Sequence, residues 1–274
     1  MVIADKLNYL QDTKNQIKEA IKGKGIEVSD IDTFRSYADK ISEIPSGGSQ
    51  EETFGRSFET SNNNNYILQK LVKTIPNDVL IEAFNSTDVV YLQNSFGICQ
   101  NLEELDLSNC NTSSVISLAN MCSSSTNLKK VIMQNLDFRN ANNIGSAFSS
   151  LKKLEEIDFT NTDTGHISNF LNFCNACSAL VRFKGILDVK SNTANIANIF
   201  GKCPNLEEVY IKNLNSSGLN LSGSPKLKKE CLVFLLENAI ASEETRALIL
   251  GSTNLTKLTD EEKAIATNKG WTLS

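Results

Sequence analysis

The stretch Leu102-Glu103-Glu104-Leu105-Asp106-Leu107-Ser108-Asn109-Cys110 recurs in outline along the chain at a fixed interval. Its leading leucine returns every 26 residues as Leu128, Leu154, Leu180 and Leu206. Three and five residues after each leader come Leu105 and Leu107, Val131 and Met133, Ile157 and Phe159, Phe183 and Gly185, Val209 and Ile211. The same register reaches back to Val79 and Ile81 after Pro76, so about six units are expected. A constant period of this length predicts a solenoid, in which each coil buries its apolar face only against its neighbours.

Working outward within a unit, the alternation after the leader predicts a short strand. Helical spacing follows it: Val115, Leu118 and Cys122; Ile144 and Phe148; Ile167, Phe170 and Cys174; Ile196 and Phe200. The expected fold class is therefore an α/β solenoid, with parallel strands on a concave face and short helices on a convex face. Gly185, at an inward position, marks the fourth unit as the weakest.

Strand positions that alternate with the buried ones form outward columns. The first reads Asp78, Glu104, Lys130, Glu156, Arg182, Glu208, with alternating sign from Glu104 onward, as expected of a ladder that fixes register. The next reads Leu80, Asp106, Ile132, Asp158, Lys184, Tyr210, and a third Glu82, Ser108, Gln134, Thr160, Ile186, Lys212. Arg182, Lys184, Tyr210 and Lys212 should thus cluster near one end of the concave face. An aromatic ring beside donors suits a sugar or an anionic polymer, and these four are the candidate ligand-binding residues.

The flanks break the period. Residues 1–44 read as a helical anchor or oligomerisation module, with Leu7, Leu10, Ile17 and Ile21 on one helix and Phe34, Tyr37 and Ile41 on a second. Two helices this small bury little alone, so these seven residues are the candidate interface with another protein or with copies of the chain. Residues 45–65, opening Pro45-Ser46-Gly47-Gly48-Ser49, read as a linker, 66–228 as the solenoid with its N-terminal cap, and 229–274 as an α/β C-terminal cap. In that cap, Lys229 to Ala241 predicts a helix with Leu232, Leu235, Leu236 and Ala239 inward, and Ala247 to Leu250 a strand. Thr259 and Glu262 form a capping box for a last helix ended by Gly270, and Trp271 is expected to lie over the open end of the stack.

Bulk properties narrow the function. A net charge of -5 gives no cationic footprint for nucleic acid. The first residues carry Asp5, Lys6, Asp12 and Lys14 and no apolar h-region, so no secretory signal is expected, and no apolar run approaches membrane-spanning length. The seven cysteines read as small core fillers, and Cys174-x-x-Cys177 lacks the second pair a metal or redox motif needs. His166 is the sole histidine. Asp163-Thr164-Gly165 copies the aspartic-protease triplet without a second copy, and reads as a turn. No catalytic residue, metal site or cofactor is expected, and a hydrolase on a solenoid would lack paired acid and base groups.

Leu102-x-x-Leu105-x-Leu107-x-x-Cys110 resembles the leucine-rich-repeat strand signature. With Asn111 to Val115 and the Phe-x-x-Cys of Phe96 to Cys99 and Phe200 to Cys203, the units are similar to BspA-type leucine-rich repeats of bacterial and phage surface proteins. The likeness runs from roughly Pro76 to the C-terminus; only the first unit has Cys at the ladder position, where Leu136, Thr162, Asp188 and Leu214 stand elsewhere. Leu7-Asn8-Tyr9-Leu10, Thr13-Lys14, Ile17-Lys18-x-Ala20-Ile21, Gly25 and Thr33 to Ile41 are similar to a short helical module that opens many structural proteins of phages infecting gut bacteria. Ala264 to Leu273 resembles the tail end of repeat proteins from the same setting. The resemblance implies a non-enzymatic virion protein of the tail-fibre, baseplate or head-fibre kind, made in the bacterial cytoplasm. Its N-terminal helices would dock on other virion proteins and its repeats would contact a host surface protein or glycan. The alternative it implies is a bacterial BspA-like adhesin or protein-interaction scaffold.

Overall fold

The computed structural model describes residues 14–23, 26–29, 75, 77–86, 89–97, 99–191 and 194–274. Five strands, β1 (Glu104–Asp106), β2 (Lys130–Ile132), β3 (Glu156–Asp158), β4 (Arg182–Asp188) and β5 (Glu208–Lys212), form one parallel sheet in sequence order. Leu105 pairs with Val131, Val131 with Ile157 and Ile157 with Phe183, each 26 residues on. All five leaders are fully buried, as a repeat solenoid requires. Each contributes on the order of 1.5–3 kcal/mol by leaving water.

Asparagines turn the coils. Asn109, Asn135, Asn161 and Asn213 follow the strands in left-handed backbone, with φ of 61°, 56°, 59° and 58°. Asparagine tolerates that region better than residues with larger β-substituents. Their amides also join coils: Asn135 donates to Asn109 Oδ1 at 3.0 Å and Asn161 to Asn135 Oδ1 at 3.1 Å.

The far side of each coil departs from the expected helices. It is built of turns and a second parallel ladder of single bridges, Tyr91 to Ser117 to Asn143 to Asn169 to Asn195. Main-chain bonds there run between coils, as in Ile144 N–H to Asn169 O at 2.9 Å and Phe170 N–H to Asn195 O at 2.8 Å. The carboxamide oxygens of Asn143 and Asn169 accept from the backbone two residues on, Gly145 at 2.9 Å and Leu171 at 3.0 Å, which displaces helical bonding. Asn94, Asn120, Asn172 and Asn198 then enter left-handed backbone, which no α-helix continues through.

A second correction concerns the first unit. The segment expected to be its strand is a helix, α2 (Asn77–Ser86), preceded among the described residues by a helix over 14–22, α1. Leu80 and Phe84, four apart, are buried, a pairing that fits a helix as well as a strand. Leu80 is therefore inward, and Asp78, Leu80 and Glu82 belong to no sheet column. The Asn77 amide donates to Asp106 O and Ser108 O, both at 3.0 Å, and so occupies acceptors at the end of β1 and just beyond it. At the other end lie α3 (Lys229–Asn238), β6 (Arg246–Leu248), α4 (Ser252–Leu255), α5 (Asp260–Thr267) and β7 (Trp271–Leu273). The Thr259–Glu262 capping box is present, and Gly270, at φ 82°, follows α5. Trp271 is 1% exposed, its indole donating to Ile240 O at 2.9 Å and the Arg246 guanidinium lying 5.8 Å from its ring.

The third correction is Gly185. Between Arg182 and Ile186 strand β4 spans four residues against the two between Glu208 and Tyr210, a bulge at which Gly185 adopts φ 91°. Leu187, not Gly185, takes the inward place, pairs with Ile211 and is fully buried, so the fourth unit keeps its apolar contact. The period recovers where Asn169 bridges Asn195. A Cβ at position 185 would meet Phe159 C and O at 2.7 Å, whereas at Gly218, φ 108°, it would meet nothing within 4 Å. Gly185→Ala should therefore lower unfolding free energy by about 3 kcal/mol and Gly218→Ala by only about 1 kcal/mol, read from urea denaturation. Equal losses would show that the approach to Phe159 does not matter.

Candidate functional site

The expected charge ladder is in place, and the three cations proposed for ligand binding, Arg182, Lys184 and Lys212, each have an acidic partner. Glu104, Lys130, Glu156, Arg182 and Glu208 are consecutive register partners. Glu156 receives both Arg182, at 3.2 Å, and Lys184, at 2.9 Å, with its own side chain 12% exposed. Burial would raise the Glu156 carboxyl, but hydrogen bonds and attraction from Lys184 and Arg182 outweigh it and hold the group below the usual carboxylate range. Lys212 pairs with Asp188 at 3.2 Å. An anionic polymer on this face would have to break these pairs.

Tyr210 is the member with a different environment. The bulge shifts the columns, so its strand neighbour is Ile186 rather than Lys184. Its ring stands edge-on to Phe234 of α3, at 5.3 Å and 86°. Burial, then Cys231, Glu208 and Glu230, push the Tyr210 phenol up, which keeps it protonated as a donor. Beside it opens a groove of about 520 Å³ lined by Tyr210, Val233 and Phe234 with Lys229, Glu230, Glu237 and Glu262. Ile186, 44% exposed, continues the apolar strip on the sheet side. The sequence reading brought Tyr210 to this end but missed Ile186, Phe234, Glu230 and Glu237. Phe234 had a signal: it is an apolar residue off the inward stripe of Leu232, Leu235 and Leu236.

Of the seven candidate anchor residues, Ile17 and Ile21 lie on α1 and are buried. Leu7, Leu10, Phe34, Tyr37 and Ile41 fall outside the described residues. The other motifs resolve into structure. Gly165 N–H donates to Asp163 Oδ1 at 2.9 Å, and the Thr164 hydroxyl bridges the backbone of Asp188, so Asp163-Thr164-Gly165 is a turn tied to the next coil. His166 lies 3.9 Å from Asp163 at the surface.

The seven cysteines are buried. Cys99, Cys177 and Cys203 share a column with Ser125 and Leu151. In it the thiols of Cys177 and Cys203 donate to Phe148 O at 2.9 Å and Cys174 O at 3.0 Å, 29 residues back, and the Ser125 hydroxyl does the same to Phe96 O. Burial pushes Cys110 and Cys177 up to about 12 and Cys203 up to about 11. Thiolates are the reactive form.

A family model described as "Mycoplasma protein of unknown function, DUF285" matches residues 64–187 and again 90–213. The shift from 64 to 90 is one 26-residue unit, so the model slides along the chain by a whole coil. No curated protein and no solved structure matches the chain.

Two outcomes check this geometry. Glu156 has a folded-state pKa below its unfolded value near 4.3, so its contribution is present above that value and is lost as pH falls through the folded pKa. Glu156→Gln should cost about 1 kcal/mol in urea denaturation at pH 7 and approach no difference near pH 3; a pH-independent loss would refute the ion-pair account. A disulfide-exchange reagent at pH 8 should label none of the seven thiols in the native protein and all seven in denaturant.

Proposed function

We propose, from the premise that the chain belongs to the family described as Mycoplasma protein of unknown function, DUF285, that it is a non-enzymatic recognition protein of the BspA-like leucine-rich-repeat kind. The reading is that of a phage virion structural protein, with the repeats bound to a host surface protein and the N-terminal helices docked on other virion proteins. The observation that carries recognition is the break in an otherwise constant period. The Gly185 bulge interrupts a register that holds at every preceding strand, and it places Ile186 outward beside Tyr210 and the Phe234 groove. Bulges re-aim side chains at sites of use. An exposed apolar strip beside an aromatic pair supports a protein partner over a glycan chain held by cations.

The family's description, which names Mycoplasma, favours a second setting, a cellular adhesin or interaction scaffold. The same surface would serve there.

The two settings part by location. Quantitative mass spectrometry should recover the chain at fixed stoichiometry in purified particles under the first and in cell envelopes under the second. Recognition itself is read from retention of the purified full-length chain on cells. Ile186→Ser with Tyr210→Ala should lower retention at least tenfold with the melting temperature within 2 °C of the parent, a loss of about 1.4 kcal/mol or more in binding. Retention equal to the parent would overturn the assignment of this end of the sheet.

A further inference from the structure

Along α3, Glu230, Phe234 and Glu237 stand at i, i+4 and i+7, one stripe of the helix facing the groove. Phe234 meets Tyr210 across its floor. The only cation of the lining, Lys229, is held by Glu262 at 2.9 Å. Among the described residues Glu230 and Glu237 have no ion pair, and both are exposed. The groove therefore has an aromatic floor and a negative rim, although the neighbouring sheet face is neutralised by its own ladder.

We propose that this groove binds a basic peptide segment of a partner protein, with lysine or arginine side chains on Glu230 and Glu237 and an apolar side chain on Phe234 and Tyr210. The proposal rests on the recognition reading above and names the chemistry of its partner. Seven helical residues separate the two carboxylates by about 10.5 Å along the axis, too far for one cation to satisfy both. The complementary ligand thus carries a basic residue on either side of an apolar one. The methylenes of a lysine or arginine can lie along Val233 and the rings while the charged head reaches the rim, and a cation near an aromatic face gains further attraction. A neutral sugar would leave the two carboxylates without a counter-charge, and an anionic polymer would meet repulsion.

Fluorescence anisotropy with the full-length chain tests this, using as probes a labelled peptide of alternating lysine and leucine and a glutamate–leucine counterpart. The basic peptide should bind with a Kd of about 100 μM or tighter, weakening as salt rises, and the acidic one at least tenfold more weakly. Glu230→Gln with Glu237→Gln should weaken the basic peptide at least fivefold. Glu243→Gln with Glu244→Gln, exposed acids outside the groove, makes the same change in net charge and should leave binding unchanged. Absence of binding by the basic peptide, or equal losses in both double variants, overturns the proposal. If that occurs while Ile186→Ser with Tyr210→Ala still abolishes cell retention, recognition at this end stands and only the basic class of ligand falls.

Discussion

Each coil completes its backbone hydrogen bonding and its apolar burial on the coil beside it, so the pitch must be the same for both faces of every coil. The sheet ladder and the bridge ladder meet this condition together: Leu105 to Val131 to Ile157 on one side and Ser117 to Asn143 to Asn169 on the other advance by the same 26 residues. A residue gained in one ladder must be returned before the next. Unit four gains two at Gly185 and is back in step at Asn195, with no buried leader displaced. Side chains that tie coil to coil share the constraint, which is why the Asn109–Asn135–Asn161 amides line up without further design.

The sheet was legible because its signal is redundant. The leader, the two inward residues and the sign of the charge column repeat together, and a slip of one residue would place Leu105 or Val131 on the solvent face. The cap was legible for another reason: Thr259, Glu262 and Gly270 are local signals whose chemistry does not depend on distant contacts. The far side of the coil was not, since Val115, Leu118 and Cys122 at three- and four-residue spacings also suit successive turns. What decides between them is the asparagines at 94, 120, 172 and 198, whose left-handed backbone is a preference and not a sequence rule. Helix α2 was misread because Val79 and Ile81 satisfy the strand template by position while Leu80 and Phe84 satisfy the helical one by burial. Among the described strands β1 has a strand neighbour on one side only, and on the other a helix meets its edge through Asn77.

The candidate site was half legible for a related reason. A column alignment assumes constant register, and under that assumption Lys184 neighbours Tyr210 and the end of the sheet is basic. One bulge moves Ile186 into that place, and Glu156 and Asp188 take up the three cations. Single-residue pattern cannot reveal a two-residue insertion that the following turn returns, because the interval from Leu180 to Leu206 is unchanged. The trace it does leave is a glycine where an inward apolar residue belongs.

That glycine links stability to presentation. Substitution at 185 brings a side chain against the Phe159 backbone, so the bulge is held by an approach only glycine permits. Phe159 in turn stacks on Phe183 at 5.1 Å, within a run of aromatic contacts through Phe173 and Phe200 in the core. The exposed Ile186 is therefore carried by a strand whose inner face is anchored on both sides of Gly185, at Phe183 two residues before it and Leu187 two residues after it. The groove beside it has a different support, α3 pinned at its C-terminal end by the Lys269 ammonium on Leu236 O and Ala239 O, each at 3.0 Å. Sheet and cap meet across the Tyr210–Phe234 contact and are also joined by the Asn213 N–H to Asn238 O bond at 2.8 Å and by a shared apolar core.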